Sequence, residues 1–132
     1  KRRRPRAVEL PLLGRVAAGQ PIEAIEGNDS IEVPESLVRR RNTYALQVTG
    51  DSMINEGILD GDYILVEERP QPNNGDMVVA SIDDEVTVKR FYRQSDGAVR
   101  LEPANPAYSP IIVRDRDLQI RGVVAAVMRK YH

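Results

Sequence analysis

At 132 residues the chain has the length of one domain, enough to bury about two thirds of its unfolded surface and fold without staples. It contains no Cys, which excludes a disulfide framework and a thiolate metal site. The formal net charge of −1, from 19 Lys+Arg and 20 Asp+Glu, argues against a dedicated nucleic-acid surface, and no apolar run approaches the ~20 residues of a membrane-spanning helix.

The chain starts on a basic run, Lys1, Arg2, Arg3, Arg4 and Arg6, broken by Pro5. It has no initiator Met and no apolar stretch of the kind a signal peptide needs. Residues 1–8 are therefore expected to be a solvated linker remnant, with more protein upstream. Such a run can also bind phosphates through counterion release, but it has no interleaved aromatics to stack on bases.

Residues 9–132 read as one turn-rich β domain, with nine Gly and nine Pro scattered through the chain. Residues 14–21, Gly14-Arg15-Val16-Ala17-Ala18-Gly19-Gln20-Pro21, look like a small, flexible peptide flanked by apolar residues. At Ala18-Gly19 the side chains are so small that another backbone can approach closely. Residues 34–38 suit one helical turn with Pro34 in first position. Residues 44–48 form a half-buried strand that Gly50-Asp51 ends, and 53–58 suit another short turn. Strands are expected at 63–66, 77–82 and 86–91, the last two joined as a hairpin around Asp83-Asp84-Glu85. Residues 99–101 and 111–113 are shorter candidates. Residues 118–128 alternate and then become apolar on both faces, which fits either an inner strand or one covered by a partner.

The only His is His132, the last residue, so a Ser-His-Asp triad is not expected. A Gly-Asp-Ser esterase is ruled out too, because it needs Asp three residues before the His and Arg129 stands there. Any activated serine must use another base, and lysine is the known substitute. Ser52, in Gly50-Asp51-Ser52-Met53, sits just past the 44–48 strand, where a turn presents a hydroxyl. Taken alone, a serine there is usually a local cap. Lys89 lies in Val86-Thr87-Val88-Lys89, where the strand period puts Thr87 and Lys89 on one face and the valines on the other. A lone strand lysine is usually only part of a polar face. Asp60-Gly61-Asp62 and Asp83-Asp84-Glu85 cluster carboxylates at turns without the spacing of a calcium loop, so no metal and no cofactor is expected.

Taken together, residues 14–21, Val48-Thr49-Gly50-Asp51-Ser52-Met53, Asp60-Gly61-Asp62, Asp83 to Phe91 and Asn105-Pro106-Ala107-Tyr108-Ser109-Pro110-Ile111 resemble the LexA family, in the same order along the chain. The resemblance implies a mostly β, compact domain with very little helix, of the β-clip type shared with signal peptidases. It implies a self-cleaving serine–lysine peptidase: Ser52 as nucleophile, Lys89 as general base, and Ala18–Gly19 as the scissile bond. Val16, Ala17 and Pro21 would be read as part of the cleavage loop. Asp51 and Met53 would flank the oxyanion site, and Thr87 would help hold the lysine. The implied partners are a second copy of the chain, through 118–128, and the RecA filament on single-stranded DNA. Operator DNA would be bound by a helix-turn-helix domain with no counterpart in this sequence. The implied location is the bacterial cytoplasm. A UmuD-like self-cleaving protein, a prophage repressor and a non-catalytic dimerisation module are the rival readings.

Overall fold

The structure, a computed structural model, describes residues 6–17, 20–25, 27–38, 42–103, 107 and 109–131. Residues 1–5, Ala18, Gly19 and His132 lie outside the described residues, as do Asn105, Pro106 and Tyr108 of the last shared motif.

Among the described residues the strands are β1 (Ala7–Ala17), β2 (Glu23–Ala24), β3 (Ser30–Pro34), β4 (Thr43–Thr49), β5 (Tyr63–Glu67), β6 (Met77–Ile82), β7 (Glu85–Arg93), β8 (Val99–Glu102), β9 (Ile111–Val113) and β10 (Gln119–Met128). They make one sheet in the order β2-β1-β4-β5-β10-β6-β7-β8-β9, with β3 also paired to β1. β1 and β4 run parallel; the other pairs are antiparallel. Among the described residues helix is confined to single 3-10 turns at Glu35–Leu37, Ile54–Glu56 and Asp115–Asp117. The mostly β expectation with very little helix therefore holds.

The hairpin expected around residues 83–85 is β6–β7. Ile82 pairs with Glu85, and Asp83 and Asp84 take the two turn positions at φ 49° and 66°. A two-residue turn with both centres left-handed matches the twist of the flanking strands, and Asp tolerates that region better than most residues.

Three expectations need correction. The linker was placed at residues 1–8, but β1 begins at Ala7, and Val8 packs on a core cluster with Leu10, Ile31 and Leu65. Residues 14–17 are not a flexible peptide but the end of β1, pairing with β4 from Gly14↔Leu46 to Ala17↔Thr49. The period of two is present, with Leu10, Gly14 and Val16 buried between exposed Glu9, Leu13 and Arg15. Pro11 and Gly14, both poor strand formers, masked it. Pro34 is not the first residue of a helical turn: it ends β3 and precedes Glu35 at φ −59° and ψ 136°.

β10 bridges β6 and β5 in the sheet order, with strand partners on both sides only at Val123. It pairs with β6 at residues 119–123 and with β5 at 123–128. The main cluster, with Val16, Leu46, Met53, Ile64, Val79 and Val86, spans β1, β4, β5, β6 and β7 and lies under the turn that carries Ser52. A second, with Val78, Phe91 and Leu101, packs β6, β7, β8 and β10.

Candidate active site

The turn after β4 is built by the backbone. Gly50 sits at φ +94°, and its N–H donates to Asp60 Oδ1 at 2.8 Å. The Ile54 N–H then donates to the Asp51 C=O, and the Met53 C=O accepts from the N–H groups of Glu56 and Ile58. Met53, 2% exposed, anchors the turn in the main core. Ser52 is thereby held half-buried above a core residue. Among the described residues the N–H groups of Asp51, Ser52 and Met53 donate to no protein acceptor, which leaves them free to meet a negative oxygen.

The chain before the 18–19 pair meets this turn, and the chain after it pairs with β7. The Gln20 N–H donates to the Ala17 C=O at 3.2 Å, and the Gln20 C=O accepts from the Val86 N–H at 2.8 Å. A groove results, lined by Val16 and Ala17 of β1, Val48 and Thr49 of β4, Ser52 and Met53 of the turn, and residues 86–88 of β7. Of the residues singled out in the sequence, it brings together Val16, Ala17, Ser52, Met53 and Thr87.

Three others do not line it. Pro21 is exposed and borders a different, wider groove with Leu13, Ile22 and Tyr44. Asp51 is exposed, its C=O capping the 3-10 turn. Lys89 lies one residue past Val88 on β7 and is 7% exposed. No hydrogen bond joins it to Ser52 or Thr87 among the described residues.

On its own face Lys89 has the buried Thr87 before it and apolar neighbours beside and after it. Val78 stands opposite on β6, fully buried, and Phe91 follows on the same face at 1% exposed. Removal from water without a compensating anion disfavours the ammonium, so burial holds Lys89 below the ordinary lysine range. A group shifted this way by desolvation beside a hydroxyl-bearing groove is a candidate for proton transfer.

Two pairs around the turn gave no signal in the sequence. Arg90 forks onto Glu56, and Arg129 forks onto Asp62 with Nε to Oδ1 at 2.7 Å and Nη2 to Oδ2 at 2.8 Å. The partners are 34 and 67 positions apart, far beyond any local periodicity. Asp62, read as turn material, is 1% exposed and also accepts from the Leu59 N–H.

A family profile described as Peptidase S24-like matches residues 11–125. The chain belongs to the Peptidase S24-like family, as a LexA-type C-terminal domain. The span matched to the S24-like family takes in the Ser52 turn, the Lys89 strand and the flanks of the 18–19 pair. The LexA repressor of Syntrophotalea carbinolica is 50% identical over 127 residues, covering 96% of this chain and 62% of that protein. That of Acetivibrio thermocellus is 52% identical over 124 residues, covering 93% and 57%. That of Carboxydothermus hydrogenoformans is 44% identical over 142 residues, covering 97% and 69%. The S24-like chain thus spans about three fifths of the length of the first two relatives. Among the described residues no helix is long and apolar enough to cross a membrane.

Proposed function

We propose that this domain is the self-cleaving and dimerising half of a transcriptional repressor of the bacterial SOS DNA-damage response, working in the cytoplasm. The observation that carries the reading is that Ala17 lines the same groove as Ser52 while Gln20 is bonded to Val86 beside it. One flank of the Ala18–Gly19 bond shares a groove with the candidate nucleophile and the other is bonded to the strand that lines it, which supports delivery of that bond to Ser52. A polypeptide that delivers its own bond to its own serine converts a bimolecular encounter into a unimolecular one.

The proposed reaction passes one proton at a time between Lys89, Ser52 and the Ala18–Gly19 bond. Neutral Lys89 Nζ takes the proton of Ser52 Oγ, and Oγ bonds to the Ala18 carbonyl carbon. The oxygen that becomes negative is met by the free N–H groups at residues 51–53. Lys89 returns the proton to the Gly19 nitrogen as the C–N bond breaks, leaving an Ala18 ester on Ser52. Lys89 then takes a proton from water, whose oxygen bonds to the ester carbon, and returns that proton to Ser52 Oγ as the ester C–O bond breaks, leaving Ala18 with a free carboxyl. The lysine side chain must turn from its strand to Ser52 for the first step; catalytic hydrogen bonds commonly tighten only in the reactive complex. Thr87, on the lysine's face, would steady it there.

Cleavage would part this domain from an upstream DNA-binding domain, and each half-site reader would lose the avidity of being joined to its mate. The RecA filament on single-stranded DNA would stimulate the cut by binding the cleavage-ready arrangement more tightly. For the dimer, β10 offers an edge: beyond Val123 the side away from β5 has no strand partner among the described residues, and Val127 is 40% exposed. Strand addition across a two-fold axis would pair that edge with itself.

The test is intact-mass measurement of the purified chain after alkaline incubation. Two fragments that meet between Ala18 and Gly19, absent from Ser52→Ala, are expected. A single uncut mass, or cutting that persists in Ser52→Ala, overturns the assignment.

A further inference from the structure

The turn that carries Ser52 and the strand that carries Lys89 are joined by one charged side-chain contact. Glu56 closes the 3-10 turn Ile54–Glu56, and its N–H donates to the Met53 C=O, one residue from Ser52. Arg90 immediately follows Lys89 on β7. Its Nε lies 3.1 Å from Glu56 Oε1 and its Nη2 2.5 Å from Oε2, while Nη1 donates to the Gly75 C=O at 2.8 Å. The guanidinium is therefore held at three points, and the pair is partly shielded, with 36% and 23% of the two side chains exposed. A two-point fork fixes orientation as well as separation, which a single contact does not.

We propose that the Glu56–Arg90 fork is a positioning clamp that sets the Ser52 turn against the Lys89 strand. It rests on the serine–lysine reading above and deepens it. Neither residue touches the reacting atoms. Glu56 acts through the Met53 C=O on the turn, and Arg90 acts through the backbone it shares with Lys89. The clamp matters because Lys89 has no hydrogen bond of its own to hold it near Ser52 among the described residues, so the spacing of the two backbones decides how often its amine meets the hydroxyl. Misplacement of reacting groups by about 1 Å can cost on the order of a hundredfold in rate.

The experiment follows self-cleavage of the 132-residue chain as a first-order rate across pH about 7 to about 10.5, spanning the ordinary lysine range. Wild type, Glu56→Gln, Arg90→Lys and the double variant are compared at a temperature where thermal melts show each one folded. Glu56→Gln keeps the shape but removes the charge; Arg90→Lys keeps the charge but loses the fork. The alkaline plateau is expected to drop by about tenfold or more in each single variant with no shift in the pH midpoint. The double variant should be no slower than the worse single one, because both remove the same contact. A merely structural pair would lower the melting temperature and leave the plateau of the folded protein unchanged, which overturns the clamp. A shifted midpoint with an intact plateau overturns it too, since the pair would then act on lysine burial rather than on position. If wild type stays uncut, or Ser52→Ala is cut, the failure lies in the serine–lysine reading instead.

Discussion

The Val86 N–H donates to the Gln20 C=O at 2.8 Å, an isolated bridge between the residue just after the 18–19 pair and the strand that holds Thr87 and Lys89. It holds Gln20 to β7 through backbone atoms, so it asks nothing of the Gln20 side chain. The hairpin that presents this segment depends on Gly14, which pairs with Ala24 across β1 and β2. A Cβ at Gly14 would stand 2.6 Å from Ile22 Cγ2 and 2.8 Å from the Glu23 C=O. Gly14→Ala should therefore push β2 off β1 and unseat the segment. Overpacking of this kind costs about 1–3 kcal/mol, which corresponds to a cleavage rate roughly ten- to a hundredfold lower. Gel time courses beside a thermal melt check it; an unchanged rate would mean the hairpin does not present the bond.

Burial of Lys89 gives a pH dependence with a definite sign. Its folded pKa lies below its unfolded one, so between the two values the unfolded chain binds more protons and stability rises with pH. The penalty is full below the folded value and gone above the ordinary lysine pKa of about 10.4. Cleavage should rise with pH as the neutral amine accumulates and level off above the folded value. Lys89→Met should remove cleavage by on the order of a thousandfold or more, while the melting temperature at neutral pH rises. A melting temperature that falls instead would show that the ammonium has a partner in the fold.

Asp62 works in the opposite direction. Its hydrogen bonds from Arg129 hold the carboxyl below the usual carboxylate range, against the opposing effect of burial. Its contribution to stability is therefore present above the unfolded value of about 3.9 and is lost as pH falls through the folded one. Urea titrations of the wild type and Asp62→Asn should converge at the acid end and diverge toward neutral pH, where the wild type is the more stable. Parallel curves would count against the pair.

Gly122 sits where β10 passes from β6 to β5, and a Cβ there would lie 2.5 Å from both the Glu67 C=O and Val66 Cγ1. Because backbone cannot yield as a side-chain end can, Gly122→Ala should cost about 1–3 kcal/mol in urea unfolding. A neutral result would mean that the two strands can separate freely at this crossing.

Val127 tests the proposed dimer. Val127→Lys places a charge on the exposed face of the β10 edge, a device that opposes edge pairing. Sedimentation should show a monomer with an unaltered melting curve at high dilution; a dimer that persists would move the interface elsewhere.

Much of the candidate site could be proposed from residue order. Gly50-Asp51-Ser52-Met53 after an alternating strand, and Thr87 with Lys89 at strand spacing, could be read because turns and strands are local and their side-chain directions follow from a period of two. The apolar pattern at 44–48, 63–66, 77–82 and 86–91 located four strands for the same reason. Strand β1 was missed because Pro11 and Gly14 depress strand propensity, and only its pairing with β3 and β4 overrides that.

The sequence determined which side chains exist for the chemistry and that no histidine could serve as a triad base. Only the tertiary structure decided that Ala17 lines the Ser52 groove while Gln20 pairs with Val86, that Lys89 is buried, and that Arg90 and Arg129 bond to Glu56 and Gly57 beside the turn. These are contacts between residues up to 72 positions apart. Burial and long-range pairing depend on how strands are ordered in the sheet, and that order follows from the balance of all the packing contacts together rather than from any stretch of chain read by itself.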